Sequence, residues 1–250
     1  TIYRTSHSQH TISIWLAEKV KALIRDPKKL LRRLKYLSKQ NLDKFGGTRD
    51  SQKQVEEQLF SEEVEQLRKY KIVDPIVVSD PNSKDVVELV RSLDPYLILT
   101  LGGPIYRKPL LDCARGLALN QHDGWCPTYK GANTVDWTLY HRDITHCGNT
   151  VHVLTSGVDA GPILRRSTVC LIKGDTRESC FARVVALGTE LMCEAVAEII
   201  NSEEITLYDQ PSEQGFSYLN SHLNNEVIQI VECDLRNGLI PLEKSRLQKF

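Results

Sequence analysis

The stretch Leu119-Asn120-Gln121-His122 and the segments that follow it carry most of the information about the fold. After it come Pro127-Thr128-Tyr129-Lys130-Gly131, Gly148-Asn149-Thr150-Val151-His152 and Val158-Asp159-Ala160-Gly161-Pro162-Ile163. An amide, an imidazole and a carboxylate therefore stand at the ends of apolar runs. An amide N–H and an imidazolium can hold a developing oxyanion, while a carboxylate fixes the charge of the imidazole and helps to move a proton. The pattern is typical of a site for acyl-type transfer.

From Lys71 onward, apolar runs alternate with helical spacing, which predicts an α/β fold with a mostly parallel sheet covered by helices. We predict strands at Pro75–Val78, Tyr96–Leu101, Gly116–Leu119, Thr150–Val153 and Val227–Val231, and helices at Ser83–Leu93, Leu110–Ala114 and Thr134–Tyr140. The continuous apolar run 96–101 suits a central buried strand. Asn120 and His122 lie two positions apart on extended backbone, so both side chains share one face.

The first seventy residues follow a different pattern. Thr1-Ile2-Tyr3 looks like the tail of a strand already in progress, which predicts a truncated start. A helical stretch runs from Ile12 to Phe45, and a polar helix from Ser51 to Tyr70. The basic segment Lys28–Lys39 is either a solvated amphipathic helix or a contact for a phosphate-bearing substrate or RNA. We divide the chain into a partial strand and helical insert (1–70), a catalytic core (71–207) and a short extension (208–250).

Composition excludes several classes of protein. The chain has 250 residues, of which 41% are hydrophobic and 26% charged, as in an ordinary globular protein. Lys+Arg and Asp+Glu both number 32, so no net charge favours nucleic acid or an anionic membrane. No apolar run approaches the roughly 20 residues that span a bilayer. Seven scattered cysteines without a CxxC pair suit thiols in a reducing cytoplasm, where we place the protein.

The four motifs quoted above occur in the order found in the formyltransferase catalytic domain, which the chain resembles over about residues 72–200. That domain is shared by glycinamide ribonucleotide, methionyl-tRNA and amino-sugar N-formyltransferases. The resemblance implies a Rossmann-like formyltransferase fold, 10-formyltetrahydrofolate as the formyl donor and a primary amine as the acceptor. It implies no metal.

The resemblance also implies roles for individual residues. Asn120 would bond the formyl oxygen, His122 would stabilise the oxyanion as an imidazolium, and Asp159 would keep His122 charged and assist proton removal. The residues implied to bind the folate through two loops are Gly103, Pro104, Ile105, Tyr106, Ser156, Gly157 and Val158, and those implied near the acceptor are Tyr129, Lys130 and Asn133.

One residue departs from the family pattern. Where the family commonly continues from the histidine with Pro-Ser, this chain has Asp123, which either raises the pKa of His122 or caps the following turn. The acceptor pocket is the part of the site that this change affects.

Three functions stay open. An N-formyltransferase acting on a small amine, such as an amino sugar on a nucleotide carrier, is favoured over a formyltetrahydrofolate hydrolase and over a non-catalytic or RNA-directed module. About forty residues after the core are too few for the C-terminal barrel that acts on tRNA, so nucleic acid is not the expected partner. A zinc hydrolase using His122, His152 and Asp159 lacks the usual ligand spacing. A homodimer is left open.

Overall fold

The computed structural model describes residues 2–4, 76–202, 204–211 and 215–240. Its strands are β1 (Ile2–Arg4), β2 (Ile98–Leu101), β3 (Ala118–His122), β4 (Tyr129–Gly131), β5 (Gly148–Val153), β6 (Ile163–Thr168), β7 (Glu204–Thr206) and β8 (Phe216–Tyr218). Its helices are α1 (Lys84–Ser92), α2 (Lys108–Leu111), α3 (Thr134–Tyr140), α4 (Arg177–Asn201) and α5 (Asn225–Asn237), with 3-10 turns at Ile144–His146 and Asn220–His222. The helices expected at 12–45 and 51–70 lie outside the described residues.

The central sheet has the strand order β2-β3-β5-β6. β2 and β3 are parallel, whereas β5 is antiparallel to both β3 and β6. Among the described strands the sheet is therefore mixed, which corrects the expectation of mostly parallel pairing within an α/β fold that is otherwise as predicted. Two small sheets accompany it, one antiparallel between β1 and β7 and one parallel between β4 and β8.

Three strand predictions were wrong in part. Residues 76–78 form no regular element, and Ile76 and Val77 are 71% and 91% exposed. β2 lies at an edge of the four-stranded sheet within the described residues, with Leu99 exposed, instead of at its centre. The run Val227–Val231 belongs to α5.

The reason for the helix at Val227–Val231 is local. Asn224 accepts a hydrogen bond from the backbone N–H of Val227, and Val227 and Val231 are buried one helical turn apart. A short apolar run of this kind is ambiguous between a strand and a helix until its capping residue is recognised.

The largest core cluster lies between the central sheet and α4. Sheet residues Leu119, Val151 and Leu164 pack against α4, whose contribution includes Leu191, Met192, Ala195 and Ile199. The 25-residue helix α4 begins with a capping box, in which Thr176 and Ser179 bond each other's backbone N–H groups. The buried apolar side of α4 fixes the sheet face on which the helix lies.

The segment after 207 packs on the motifs that precede α3. β8 pairs with β4, and α5 contacts α3. Gly215 has a φ of +91° and passes so close to Pro127 that a Cβ would lie 1.5 Å from the Pro127 carbonyl oxygen. Arg142 holds α5 through two hydrogen bonds to the Asp234 carboxylate, at 2.7 and 3.1 Å. Through its pairing with β4, β8 covers one edge of the segment 127–131.

Candidate active site

Asn120, His122 and Asp159 meet in the folded chain. Asp159 Oδ2 lies 3.4 Å from His122 Nδ1, and Asp159 Oδ1 lies 3.4 Å from Asn120 Nδ2. All three line one cavity of about 410 Å³, a volume suited to a small-molecule ligand. Asp159 lies 37 positions after His122 in the sequence, and the fold brings the two predicted groups together.

Each of these side chains is oriented by a further hydrogen bond. Thr100, directly opposite Asn120 in the β2–β3 register, donates to Asn120 Oδ1 at 2.8 Å. The amide N–H groups of Asn120 are therefore the part that faces Asp159. The backbone N–H of Gly131 donates to Asp159 Oδ2 at 2.9 Å. Gln210 holds the loop by donating to the backbone oxygens of Asp159 and Gly161, at 3.0 and 2.7 Å.

His122 is buried with both ring nitrogens near acceptor atoms. Nδ1 faces Asp159, and Nε2 lies 3.0 Å from the Tyr129 carbonyl oxygen. Burial lowers the pKa of the His122 imidazole, while the Asp159 carboxylate acts in the opposite direction. Since a neutral ring carries one N–H, only the imidazolium can donate to both acceptors at once.

Asp159 is held ionised by its neighbours. Burial acts to raise its pKa, but His122, His152 and the Gly131 N–H outweigh that effect and place the pKa well below the usual aspartate range. The contacts to Asn120 and to the two rings measure 3.3 to 3.4 Å, which is long for charge-assisted hydrogen bonds. Such contacts can give way to shorter ones with a bound carbonyl group.

His152 is a member of this cluster that the sequence analysis considered only as a zinc ligand. It pairs directly with Asn120 in the β3–β5 register, and its Nε2 lies 3.3 Å from both Asn120 Nδ2 and Asp159 Oδ1. Its Nδ1 lies 2.9 Å from the Val153 carbonyl oxygen. The signal that would have found it is strand register, because the antiparallel β3–β5 pairing sets His152 opposite Asn120.

The loops predicted to bind folate lie at the cavity and are rich in exposed backbone. Gly102 and Gly103 have positive φ angles of 59° and 113°, and a Cβ on Gly103 would meet the Tyr106 hydroxyl at 2.3 Å. Asn82 holds the first loop by donating to the Ile105 carbonyl oxygen at 2.9 Å and accepting from the Arg107 N–H at 2.7 Å.

Most of the predicted folate residues line the cavity. Those that do are Gly103, Pro104, Ile105, Tyr106, Gly157 and Val158, whereas Ser156 is exposed and does not. Ile105 and Val158 are exposed, so two apolar side chains stand at the cavity without a covering partner among the described residues. A flat heterocycle suits such a surface.

The residues predicted near the acceptor are placed differently from one another. Asn133 lines the cavity in a left-handed conformation (φ 56°) at the start of α3. Tyr129 is buried beside Tyr218, donates through its hydroxyl to Asp143 at 3.0 Å, and does not line the cavity. Lys130 also does not line it, although the neighbouring Gly131 does.

Asp123 does not cap the turn that follows it. Within the described residues its carboxylate bonds the side chains of Asn149 and Gln121, while its backbone carbonyl oxygen accepts from the Thr134 hydroxyl. Burial, as the largest effect, raises the pKa of the Asp123 carboxyl to about 7. Asp123 also lines the cavity, beside His122.

Three further charged residues line the cavity and were not singled out in the sequence, namely Asp136, Arg177 and Glu178. Arg177, at the start of α4, is 6% exposed and bonds the Asp136 carboxylate of α3 through Nε at 2.7 Å.

Cys126 is buried, and burial raises the pKa of its thiol far above the usual range, so it is not a reactive nucleophile. In the described ranges, no three His, Cys, Asp or Glu side chains are grouped to hold a metal ion.

This fold and this cluster agree with a comparison against protein families. A model described as formyl transferase matches residues 36–196, which is more than half of the chain. The chain therefore belongs to the formyl transferase family.

Relatives and solved structures lie within the same family. The methionyl-tRNA formyltransferase of Trichlorobacter lovleyi is 31% identical over 113 residues, covering 45% of this chain and 35% of that protein. That of Borrelia duttonii is 25% identical over 186 residues, covering 72% and 59%. The chain thus spans about a third to three fifths of the length of these relatives.

Two crystal structures share the fold. A sugar N-formyltransferase from a Shewanella species has a TM-score of 0.50 and 18% identity, with 62% of this chain and 65% of that chain covered. A 4-N formyltransferase from Francisella tularensis has a TM-score of 0.50 and 16% identity, with 72% and 73% covered. Across the described part of the chain, no helix combines the length and apolarity needed to cross a membrane.

Proposed function

We propose that this protein is an N-formyltransferase that moves a formyl group from 10-formyltetrahydrofolate to the primary amine of a small metabolite. One observation carries the proposal, the convergence of the Asn120 amide, the His122 imidazole and the Asp159 carboxylate at one cavity. The family to which the chain belongs supports the same reaction class.

The chemistry assigns a task to each group. Asn120 presents its N–H groups because Thr100 occupies its oxygen, so the amide is preset as a donor to a carbonyl oxygen. As an imidazolium, His122 stabilises the negative charge that develops on that oxygen. Asp159, ionised at neutral pH, stabilises the imidazolium that His122 becomes. Together these groups lower the barrier for addition of an amine to a formyl carbon.

The two loops are the part of the chain that we propose holds the donor. Their glycines expose backbone N–H and C=O groups, which suits a pterin ring that is read through its edges. Ile105 and Val158 offer exposed apolar side chains at the cavity. When bound, the folate would supply the formyl carbonyl on which the Asn120 and His122 donors act. No part of the proposal requires a metal.

For the acceptor we propose a small amine, such as an amino sugar on a nucleotide carrier. The cavity continues past His122 to Asn133, Asp136 and Arg177, where hydrogen-bonding and charged groups replace the apolar loops. This polar side suits a metabolite better than a second flat ring. The relatives named methionyl-tRNA formyltransferases make an aminoacyl-tRNA the competing acceptor.

A cytoplasmic location is part of the proposal, since none of the seven cysteines forms a disulfide.

The first test is calorimetric titration of the full chain with 5-formyltetrahydrofolate, a stable analogue of the donor. Binding by the parent supports the proposal, and Asn120→Ala should weaken it, while Asn237→Ala at the exposed end of α5 serves as the matched control. No binding by a folded parent overturns the proposal.

The acceptor is then screened with 10-formyltetrahydrofolate and three probes, a nucleotide-linked amino sugar, glycinamide ribonucleotide and methionyl-tRNA. Formyl transfer to either small amine supports the proposed acceptor class. Transfer to methionyl-tRNA alone would assign the protein to tRNA, and formate release in the absence of any amine would make it a hydrolase.

A further inference from the structure

We propose that Gln210 is a positioning residue for formyl transfer, which holds Asp159 in the conformation that brings its carboxylate to His122. This role rests on the function proposed above and deepens it. Gln210 follows β7, and it lies beyond residues 36–196, which the family model matches. The C-terminal segment is therefore part of the working site.

Asp159 has a backbone conformation that needs support. Its φ angle is +47°, in the left-handed region that residues with a Cβ rarely adopt. It lies in a turn between β5 and β6, outside both strands, and its neighbours Val158 and Ala160 are exposed. Neither a glycine backbone nor a sheet ladder holds this conformation, so contacts from elsewhere in the fold have to do so.

The Gln210 amide supplies the strongest of those contacts to the backbone. Its Nε2 donates to the Asp159 carbonyl oxygen at 3.0 Å and to the Gly161 carbonyl oxygen at 2.7 Å. The other side chain on the Asp159 oxygen is the Cys126 thiol, a weak donor, at 3.5 Å. Because the two carbonyl groups converge on one NH₂ group, the direction of the Asp159 carbonyl is fixed, and with it the ψ angle of Asp159.

The cost of this arrangement falls on Gln210 itself. Since both partners are carbonyl oxygens, only the NH₂ end of the amide can face them. The other end, Oε1, is buried and has no hydrogen-bond partner within the described part of the chain. An unpaired buried carbonyl oxygen is destabilising, and a methionine of similar length would avoid it. Restraint of the Asp159 turn accounts for a glutamine at this position.

Gln210 projects from a stretch of backbone that is held by the core. Two positions earlier, Tyr208 exchanges two backbone hydrogen bonds with Ile163 at the start of β6, at 2.8 and 2.9 Å. Leu207 is 5% exposed and belongs to the core cluster between the central sheet and α4. The glutamine can therefore transmit the rigidity of the sheet to the turn.

The same C-terminal segment supports the side chain of Asp159. The Gly131 N–H donates to Asp159 Oδ2 at 2.9 Å, and Gly131 lies opposite Tyr218 in the β4–β8 register. The next amide, that of Ala132, donates to the Tyr218 carbonyl oxygen at 2.8 Å. Asp159 is thus held at its backbone by Gln210 and at its carboxylate by a strand that pairs with β8.

The consequence for the chemistry follows from the spacing of the carboxylate and the imidazole. Asp159 Oδ2 lies 3.4 Å from His122 Nδ1, which is already long for a charge-assisted hydrogen bond. Release of the Asp159 carbonyl would let the turn relax and move the carboxylate away from the ring. A misplacement of about 1 Å at a reacting centre can lower a rate by about 10²-fold. Loss of Gln210 should therefore act on transfer through Asp159.

The first test is a double-mutant cycle in single-turnover formyl transfer by the full chain, with a nucleotide-linked amino sugar as the probe acceptor. Gln210→Met keeps the length of the side chain, removes both donors and should lower the rate by about 10–10²-fold. In an Asp159→Asn background it should change the rate by less than about twofold, because a residue that acts through the carboxylate has no further effect once that group is gone. Gln229→Met, at an exposed glutamine of α5, is the matched control.

The second test does not depend on turnover. Amide hydrogen exchange, followed by NMR on the full chain, compares the neighbouring residues Gly131 and Ala132. Gln210→Met should speed exchange at Gly131, whose acceptor is the Asp159 carboxylate, by about tenfold. Exchange at Ala132, whose acceptor is Tyr218, should stay at the parent rate. A general loosening of the fold would raise both rates and would contradict the specific role of Gln210.

A second variant, Gln210→Glu, keeps an acceptor oxygen but loses the donors when it is ionised, so it should behave like Gln210→Met. Parent-level transfer by either variant would overturn the role of Gln210, and so would equal losses in the parent and Asp159→Asn backgrounds. Both results leave the transferase function intact. A parent protein that neither formylates the probe nor binds 5-formyltetrahydrofolate would overturn the proposed function, whereas exchange at Gly131 still decides whether Gln210 places Asp159.

Discussion

Replacing Asp123 by asparagine should change how the stability of the protein depends on pH. The carboxyl has a pKa of about 7 in the folded chain, against 3.8 for an unperturbed aspartate. Because the folded pKa is raised, the folded state holds a proton that the unfolded state has lost between these two values. The contribution of Asp123 to stability is thus present below pH 3.8 and is lost as the pH rises through 7.

The magnitude follows from proton linkage. Each pH unit in that window costs about 1.4 kcal/mol, so the interval from about pH 5 to pH 7 amounts to roughly 3 kcal/mol for a fully shielded group. Asp123 faces a cavity that water can reach, and screening reduces the expected change to roughly 2 kcal/mol. Asparagine keeps the shape and the contact with Asn149 but does not titrate.

The assay is urea denaturation of the parent and of Asp123→Asn at about one-unit steps between pH 5 and pH 8. The difference between the two free energies of unfolding isolates Asp123, because His122 and Asp159 are present in both proteins. Asp112→Asn, which removes a surface ion pair with Lys108, should differ from the parent by at most about 1 kcal/mol. A parent-minus-Asp123→Asn difference that stays constant with pH would refute the reasoning.

Three other substitutions test the site and its support. Asp159→Asn should lower single-turnover formyl transfer by about 10²–10⁴-fold with its circular dichroism preserved, since the imidazolium loses its counter-charge; a parent-level rate contradicts this. Gly188→Ala should lower the urea-derived stability by about 1–3 kcal/mol, because the new Cβ displaces Asn149; the usual helix-stabilising effect of alanine would be the opposite result. Arg177→Met should cost about 3–5 kcal/mol by leaving the buried Asp136 carboxylate unpaired, and adding Asp136→Leu should recover most of it; equal losses in the single and double variants contradict this account.

Local sequence patterns determined much of the secondary structure. The helix α3 has the predicted bounds Thr134–Tyr140, since Asn133 precedes it and its own spacing is helical. The strand carrying Asn120 and His122 was predicted from the apolar run before it. The order of the motifs along the chain indicated Asn120, His122 and Asp159 as one group, because that order can be read without knowledge of the fold. The roles of its members remain proposals, as do the division at residues 70 and 207 and the use of Tyr129 and Lys130.

Strand pairing was beyond the reach of local pattern. Whether β5 runs parallel or antiparallel to β3 depends on contacts across more than thirty residues, and apolar runs look alike in both cases. That choice places His152 beside Asn120. The error at Val227 has a different origin, since a five-residue apolar run fits a strand or a helix until its local cap, Asn224, is recognised.

The sequence by itself supplied the groups of the candidate site: an amide, an imidazole and a carboxylate on segments whose periodicity predicts an α/β fold. Tertiary structure decided which groups each of them meets. Asp123 shows the difference most clearly, because the sequence pattern allows a carboxylate beside a glycine to be interpreted as the cap of the following turn. Its environment comes from Gln121 on β3, which ends just before Asp123, from Asn149 on β5, and from α4, where Asn149 packs on Gly188. Segments that are distant in the sequence bury this side chain and thereby set its charge state. The residues next to Asp123 in the sequence do not reveal that burial.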